Sequence, residues 1–361
     1  MVASISAEGR GKLRAALSRG SIPDGNADYA AIEEHTRPMR VYYSPNGEVS
    51  LGPAALTIGA FDGMHRGHQR LVARTWELAR EQNLRAVAVT FWPHPLAVIQ
   101  PETAPSLLST LDERLATLTA SGHLDATVVI PFTPELAAES AEAFLDRISA
   151  FCAPRVLVEG PDFAMGHQRQ GDLAFLRAEG ARRGFAVESL EVAEDGQRIS
   201  SSRIRDALRA GQVETATRLL GRPYMLSGEV VLGDQRGRLL GFPTANLRGD
   251  ARITLPANGV YAVRARLPGE ATATHAGVCN IGVRPTFGGE PKLLVEAHLL
   301  DMTMDLYGLT IAVEFVARLR DERRFAGVAE LTAQIAADAH QARERLARAQ
   351  TRGEDEDRRD P

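Results

Sequence analysis

Cysteine is scarce. The 361 residues hold two, Cys152 and Cys279, far apart and without partners at metal-ligand spacing. That argues against a disulfide framework or a cysteine metal site and fits a reducing, cytoplasmic compartment. Long apolar runs are missing too: none approaches the roughly 18 residues that span a bilayer. No apolar segment follows the mildly basic start at Lys12, Arg14 and Arg19, so a secretory signal is not expected. Neither charge sign dominates. With 42 Lys and Arg against 46 Asp and Glu, the formal net charge is -4, which gives nucleic acid or a membrane surface no bulk attraction. The first 38 residues carry little information and read as a mobile extension, or as a start placed too early. The stretch 350–361, charged and closed by Pro361, reads as a disordered tail.

What remains is long enough for two cores. In the first half, short apolar runs at Leu56–Ile58, Ala86–Phe91, Thr127–Ile130 and Arg155–Val158 alternate with helical stretches. Leu71, Thr75 and Leu78 recur at helical spacing between the first two. Such alternation implies crossover connections and a doubly wound parallel sheet, which takes ligands beyond the carboxyl ends of its strands. Past residue 222 the pattern changes. Met225–Leu232, Val260–Leu267, Ala276–Ile281, Leu293–Leu300 and Ile311–Leu319 read as consecutive strands punctuated by glycine and proline. This favours an antiparallel barrel, closed by a helix from Val328 to Ala349. The expected division is 39–221 and 222–349, with the junction near Gly221–Pro223.

Two stretches carry chemistry. Residues 59–68, G-A-F-D-G-M-H-R-G-H, lie between the first strand and the first helix. His65 and His68 are three apart and can share one face of a helix start, whose free N–H groups favour anions. Gly63 and Gly67 let a phosphate approach the backbone. Residues 199–205, I-S-S-S-R-I-R, place hydroxyls and guanidinium groups before another helical run. One serine is accounted for as an N-cap; three serines with Arg203 and Arg205 suit a leaving pyrophosphate. In the second half, residues 233–246 read G-D-Q-R-G-R-L-L-G-F-P-T-A-N, a glycine-rich stretch that is not a Walker motif. Thr244 and Asn246 offer hard oxygen ligands, although Pro, Thr and Asn also make ordinary turns. In V-E-A-H-L-L-D at 295–301, Leu294, Glu296, His298 and Leu300 share one strand face by alternation.

Taken together with F-W-P-H-P at 91–95, V-E-G-P-D-F-A-M-G at 158–166, Gly171-Asp172 and L-G-R-P-Y at 220–224, the first set resembles the N-terminal module of prokaryotic bifunctional riboflavin kinase/FAD synthetases, a nucleotidylyltransferase fold. P-T-A-N at 243–246, G-V-Y-A-V, N-I-G-V-R-P-T-F-G, D-L-Y-G and L-R-D-E-R-R-F resemble their kinase module, a six-stranded barrel. The resemblance runs from about Met39 to His340. It implies phosphorylation of riboflavin to FMN by ATP, then adenylylation of FMN to FAD with release of pyrophosphate. It implies Glu296 as the kinase base, with Thr244 and Asn246 as Mg²⁺ ligands. His65, His68 and Arg205 would stabilise charge in adenylyl transfer. Gly59, Phe61, Asp62, Gly67, Ser200, Ser201, Gly237 and Arg238 would contact nucleotide, and Asp162 and Arg320 flavin. Ala60, Trp92, Ala164, Met165 and Ser202 depart from the family's usual residues. The partners expected are riboflavin, FMN and ATP, with no nucleic acid and no membrane; the oligomeric state stays open, a weak homo-oligomer included.

Three other readings compete. One active half is the nearest, with the adenylyltransferase in question because of Trp92 and Ala164. A tRNA-charging enzyme shares a His-x-Gly-His element, yet the chain has no Lys-Met-Ser-Lys-Ser-like loop and no basic anticodon module. A non-catalytic flavin binder would need neither Glu296 nor the Thr244/Asn246 pair.

Overall fold

The computed structural model describes residues 39–43, 49–233, 237, 241–270, 274–284 and 292–357. The expected extension 1–38, Arg236 and Arg238 of the glycine-rich stretch, and the last four residues of the tail lie outside them.

The first half is built on a six-stranded sheet. β1 (Arg40–Tyr43), β2 (Pro53–Ile58), β3 (Arg85–Trp92), β4 (Ala126–Pro131), β5 (Ala153–Glu159) and, further on, β8 (Ala186–Ser189) lie in the order β1-β4-β3-β2-β5-β8. Every pairing is parallel. Alternate residues of β2 and β3 feed two separate cores. Leu56, Val87 and Val89 pack with Phe144, Leu145 and Ile148 of the helix Ala141–Phe151. Ala55, Ala86 and Ala88 pack with Val72 and Leu78 of the helix Arg66–Glu81, and with Leu111, Leu115 and Leu118 of the helix Leu111–Ala120. A sheet buried on both faces gives the continuous apolar runs seen in the sequence. The chain leaves β2 toward β3 on one side and returns to β5 on the other. β2 therefore borders the point where strand order reverses, and the loop after it opens into the ligand crevice of such folds. Between β5 and β8 stand two short hairpin strands, β6 (Ala164–Met165) and β7 (Gly171–Asp172); β9 (Ala193–Glu194) and β10 (Gln197–Arg198) follow β8.

The second half is a closed antiparallel barrel in the order β11-β12-β15-β14-β13-β16. Its strands are β11 (Tyr224–Val231), β12 (Ala245–Arg248), β13 (Gly259–Arg266), β14 (His275–Arg284), β15 (Lys292–Leu299) and β16 (Thr310–Arg320). Five of these match apolar runs. β12 does not, because it is four residues long and begins inside the P-T-A-N stretch. The lumen is packed and apolar, with Tyr261, Val263, Cys279, Ile281, Val295, Ala297 and Phe315 inside. The opposite face of β13 and β14 (Val260, Ala262 and Val278) is covered by Ala339, Ala342 and Leu346 of the terminal helix.

Two expectations change. The terminal helix runs from Val328 to Asp357 rather than ending at Ala349, so most of the supposed disordered tail is helical. No proline interrupts it before Pro361. The junction is also less clean than the change of pattern suggests. The helix Val213–Leu220 ends on Gly221, left-handed at φ 73°, and β11 starts three residues later. Yet Ile204, Leu208, Val213, Leu219 and Leu220 share one core with Tyr224 and Phe315 of the barrel. The barrel's apolar core thus extends into the helices Ser201–Arg209 and Val213–Leu220.

Candidate active sites

The loop after β2 is shaped by its glycines and by two strained positions. Phe61 and Met64 are buried at φ 48° and 42°, and Gly63 at φ 78° leaves no room for a Cβ, which would stand 2.8 Å from Leu108. His65 N-caps the helix Arg66–Glu81, its Nδ1 accepting from the His68 amide at 3.2 Å. The His65 and His68 rings stack, centroids 3.6 Å apart, and Phe61 meets His68 edge-on at 5.3 Å. Burial holds the His65 imidazole down at about 4 and the His68 imidazole well below the usual range. At neutral pH both are uncharged, and because His65 Nδ1 is an acceptor, its proton sits on Nε2. His68 Nδ1 is buried without a hydrogen-bond partner.

The second expected element closes on the first. Ser200 N-caps the helix Ser201–Arg209 and accepts from the Arg203 amide at 3.3 Å. Ser201 Oγ donates to the Asp62 carbonyl at 3.0 Å, and Ile199 O approaches Gly67. Two helix N-termini therefore meet across the glycine-rich loop, an arrangement that favours a polyphosphate.

Several side chains stand differently from expectation. Asp62 is buried, and its carboxylate accepts from the Leu108 and Ser109 amides at 3.0 and 3.1 Å and from Arg205 Nη2 at 2.5 Å. Arg205 also donates from Nε to the Ser106 carbonyl at 2.6 Å. The pair ties the loop after β2 to the helix Ser201–Arg209. Arg203 binds the Glu194 and Gln197 carbonyls. Asp162 is ion-paired with Arg198, which stands beside I-S-S-S-R-I-R without a motif of its own and whose charge is felt at both histidines. Trp92 lies under guanidinium groups, that of Arg252 at 5.2 Å and that of Arg114 at 5.9 Å. Glu159, at the carboxyl end of β5, accepts from the Ile58 amide at 2.7 Å, and burial pushes its carboxyl well above the usual range.

The barrel carries the second constellation on its outer face. Asn246 of β12 stands opposite Glu296 of β15, and Glu296 opposite Asn280 of β14. Directly opposed residues project from the same face, and Val295 and Ala297 on either side of Glu296 point into the lumen. Asn280 was not expected; the strand register is what brings it in. Gly233 and Gly237 come close to this row and to the turn before it. A Cβ on Gly233 would stand 2.3 Å from Asn246 Nδ2, and one on Gly237 would stand 2.4 Å from the Phe242 carbonyl and 3.4 Å from Thr244 Oγ1. His298, on the same strand face as Glu296, makes a 2.7 Å hydrogen bond from Nδ1 to the Pro243 carbonyl and meets Phe242 edge-on at 5.5 Å. It holds the turn that presents Thr244. Arg320, expected at the flavin, is turned to the terminal helix instead. It binds buried Asp338 through Nη2 at 2.7 Å and Nε at 3.0 Å. Among the described residues no group of three or more His, Cys, Asp or Glu could hold a metal ion.

Sequence comparison matches each half of the chain to a family. The FAD synthetase family matches residues 48–203 and the riboflavin kinase family residues 220–346. A bifunctional riboflavin kinase/FMN adenylyltransferase from Pseudomonas fluorescens is 42% identical over 289 residues, 80% of this chain and 91% of that protein. The Bacillus subtilis protein of the same name is 35% identical over 292 residues, again 80% and 91% of the two chains. A crystal structure described as a macrolide-efflux protein from Streptococcus pneumoniae superposes with a TM-score of 0.74 at 30% identity, covering 84% of this chain and 99% of that one. In this chain no described helix is long and apolar enough to cross a membrane. The chain belongs to the bifunctional riboflavin kinase/FMN adenylyltransferase family.

Proposed function

We propose that this chain makes FAD in two ATP-dependent steps at two sites. The barrel phosphorylates riboflavin to FMN, releasing ADP; the parallel-sheet half joins FMN to the adenylyl group of ATP, releasing pyrophosphate. The observation that carries the reading is the presence of two separate constellations, each suited to one step.

In the first step Glu296 accepts the proton of the riboflavin 5′-hydroxyl as its oxygen attacks the γ-phosphorus. Asn246 and Asn280 flank that carboxylate, and His298 fixes the turn carrying Thr244. The hydroxyl of Thr244 and the amide oxygen of Asn246 fit Mg²⁺, a hard cation that keeps several waters and phosphate oxygens. The closeness of Gly233 and Gly237 to the same two side chains supports a phosphate cradle there. Bound Mg²⁺ would neutralise charge on the phosphate oxygens. Gly237 and Arg238 complete the nucleotide contacts in this reading.

In the second step no base is needed, because the FMN phosphate is already an anion. The site has to align it with the α-phosphorus and relieve charge on the leaving pyrophosphate. The two helix N-termini, the His65 Nε2 proton, His68, Ser200 and Ser201 serve this, with Gly59 and Gly67 allowing close approach and buried Phe61 supporting His68. The Asp62–Arg205 pair positions the loop, Arg198 adds charge beside the histidines, and Asp162 lies at the flavin side. The reaction takes place in the cytoplasm, on small molecules, without nucleic acid or membrane. Incubation of the purified chain with riboflavin, ATP and Mg²⁺, followed by chromatography of the flavins, tests the reading: FMN and then FAD should appear, and unchanged riboflavin would refute it.

A further inference from the structure

The helix Leu111–Ala120 sends Arg114 toward the carboxyl end of β3, beneath the loop that carries His65 and His68. Its side chain has no exposed surface. Nη1 donates to the Phe91 carbonyl at 3.2 Å and to Thr90 Oγ1 at 3.4 Å, while Nε and Nη2 are buried without any hydrogen-bond partner. Asp62 is near enough to be felt but is occupied by Arg205 and two backbone amides. Across the loop, His68 Nδ1 is likewise buried and unpartnered.

Such an arrangement is costly in a ligand-free protein. A buried guanidinium without a counter-ion loses its hydration and recovers little of it, and each orphaned donor adds a desolvation penalty. Arg205 shows what the same fold does when a buried guanidinium serves stability: it supplies a carboxylate. Arg114 has none to itself: the carboxylate felt at it, Asp62, is bound by Arg205, so these three groups together carry one positive charge beneath two helix N-termini that already favour anions.

We propose that Arg114 is a positioning residue for adenylyl transfer, a permanent positive charge left uncompensated beneath the loop so that the phosphate groups of the bound substrate compensate it. This rests on the adenylyltransferase reading of that site. The charge acts through the loop, since the side chain itself is covered. Burial comes first in holding the His68 and His94 imidazoles below their usual range, and the Arg114 charge adds to it.

The full chain carrying Arg114→Met, with Arg114→Lys beside it, tests this. In Arg114→Met the KM for FMN, for ATP or for both should rise at least about 10-fold, the lower end of what a focused charge contributes to anion capture. Riboflavin phosphorylation by the same molecules should be unchanged, and the acid limb of the adenylylation pH profile should move upward as His68 is relieved of a neighbouring cation. A rise confined to FMN places the charge at the flavin phosphate; one confined to ATP places it at the triphosphate. Arg114→Lys keeps the charge but not the fork to Thr90 and Phe91, and should hold KM near that of the unmodified chain. A KM within twofold for both substrates in Arg114→Met overturns the proposal, and so does a 10-fold rise in Arg114→Lys. If Arg114→Met does not fold, the lysine variant decides alone. Adenylylation by the unmodified chain in the same assay separates failure of this inference from failure of the proposed function.

Discussion

Arg205 Nη2 lies 2.5 Å from Asp62 Oδ2, an ion pair closed between residues of which almost nothing reaches solvent. The pair ties the loop after β2 to the helix Ser201–Arg209. Through the Ser106 carbonyl on Arg205 Nε it also reaches the barrel, because Leu107 exchanges backbone hydrogen bonds with Arg252 and Thr254 at 2.7 Å. Losing one partner leaves a buried charge unpaired, so Asp62→Asn should cost about 3–5 kcal/mol of stability. The double variant Asp62→Asn, Arg205→Met should cost less than the two single losses added together. Urea denaturation of the four proteins measures this, and additive losses would show that the pair is not coupled.

Acid stability follows from the histidines. His65 and His94 are held near 4, and His68 lies well below its usual value, all chiefly by burial. Between about pH 6.5 and about pH 4 the unfolded chain binds protons that the fold refuses, so stability falls as pH drops through that window. Each such group contributes up to about 1.4 kcal/mol per pH unit. In His65→Gln the decline between pH 6.5 and 4 should be shallower; an identical slope would mean that His65 titrates normally in the fold.

The kinase base gives a sharper expectation. Glu296→Gln keeps the shape opposite Asn246 and Asn280 but cannot take a proton. Formation of FMN should fall on the order of 10²–10⁴-fold, while adenylylation of added FMN stays near normal. Near-normal phosphorylation would remove Glu296 from the mechanism.

The shared core changes where the chain can be cut. A fragment starting at Arg222 strips Ile204, Leu208, Val213, Leu219 and Leu220 from the core that includes Tyr224 and Phe315. At about 1.5–3 kcal/mol for each large apolar side chain, that loss rivals the whole stability of a small domain, about 5–15 kcal/mol. A fragment 222–349 should therefore melt early or aggregate, whereas 199–349 should fold, phosphorylate riboflavin and make no FAD. Equal melting temperatures for the two fragments would show that the helices do not support the barrel.

The architecture was readable where periodicity was strong. Four strands of the parallel sheet and five of the barrel follow from apolar runs, because burial on one face writes itself into alternation and burial on both into a continuous run. β1, β8 and β12 escaped because they have four residues each, too few for a period to emerge. Local context singled out the loop and its two histidines, whereas the P-T-A-N turn stood out only through the family resemblance. Charge alone is silent on protein partners: Arg205, Asp62 and Arg320 suggest ligand contacts in sequence, and only the fold reveals the carboxylates or backbone groups they also bind. Asn280, Arg198 and Arg114 were silent for the converse reason, since register and burial, rather than neighbours in sequence, bring them to their sites.

Two independent sites in series is the central claim, and complementation tests it most directly. The variant Glu296→Gln should make no FAD from riboflavin, and the variant His65→Ala, His68→Ala should stop at FMN. Mixed in one tube with riboflavin, ATP and Mg²⁺, the two should restore FAD, one supplying FMN and the other adenylylating it. A mixture of folded variants that accumulates neither FMN nor FAD would contradict the account.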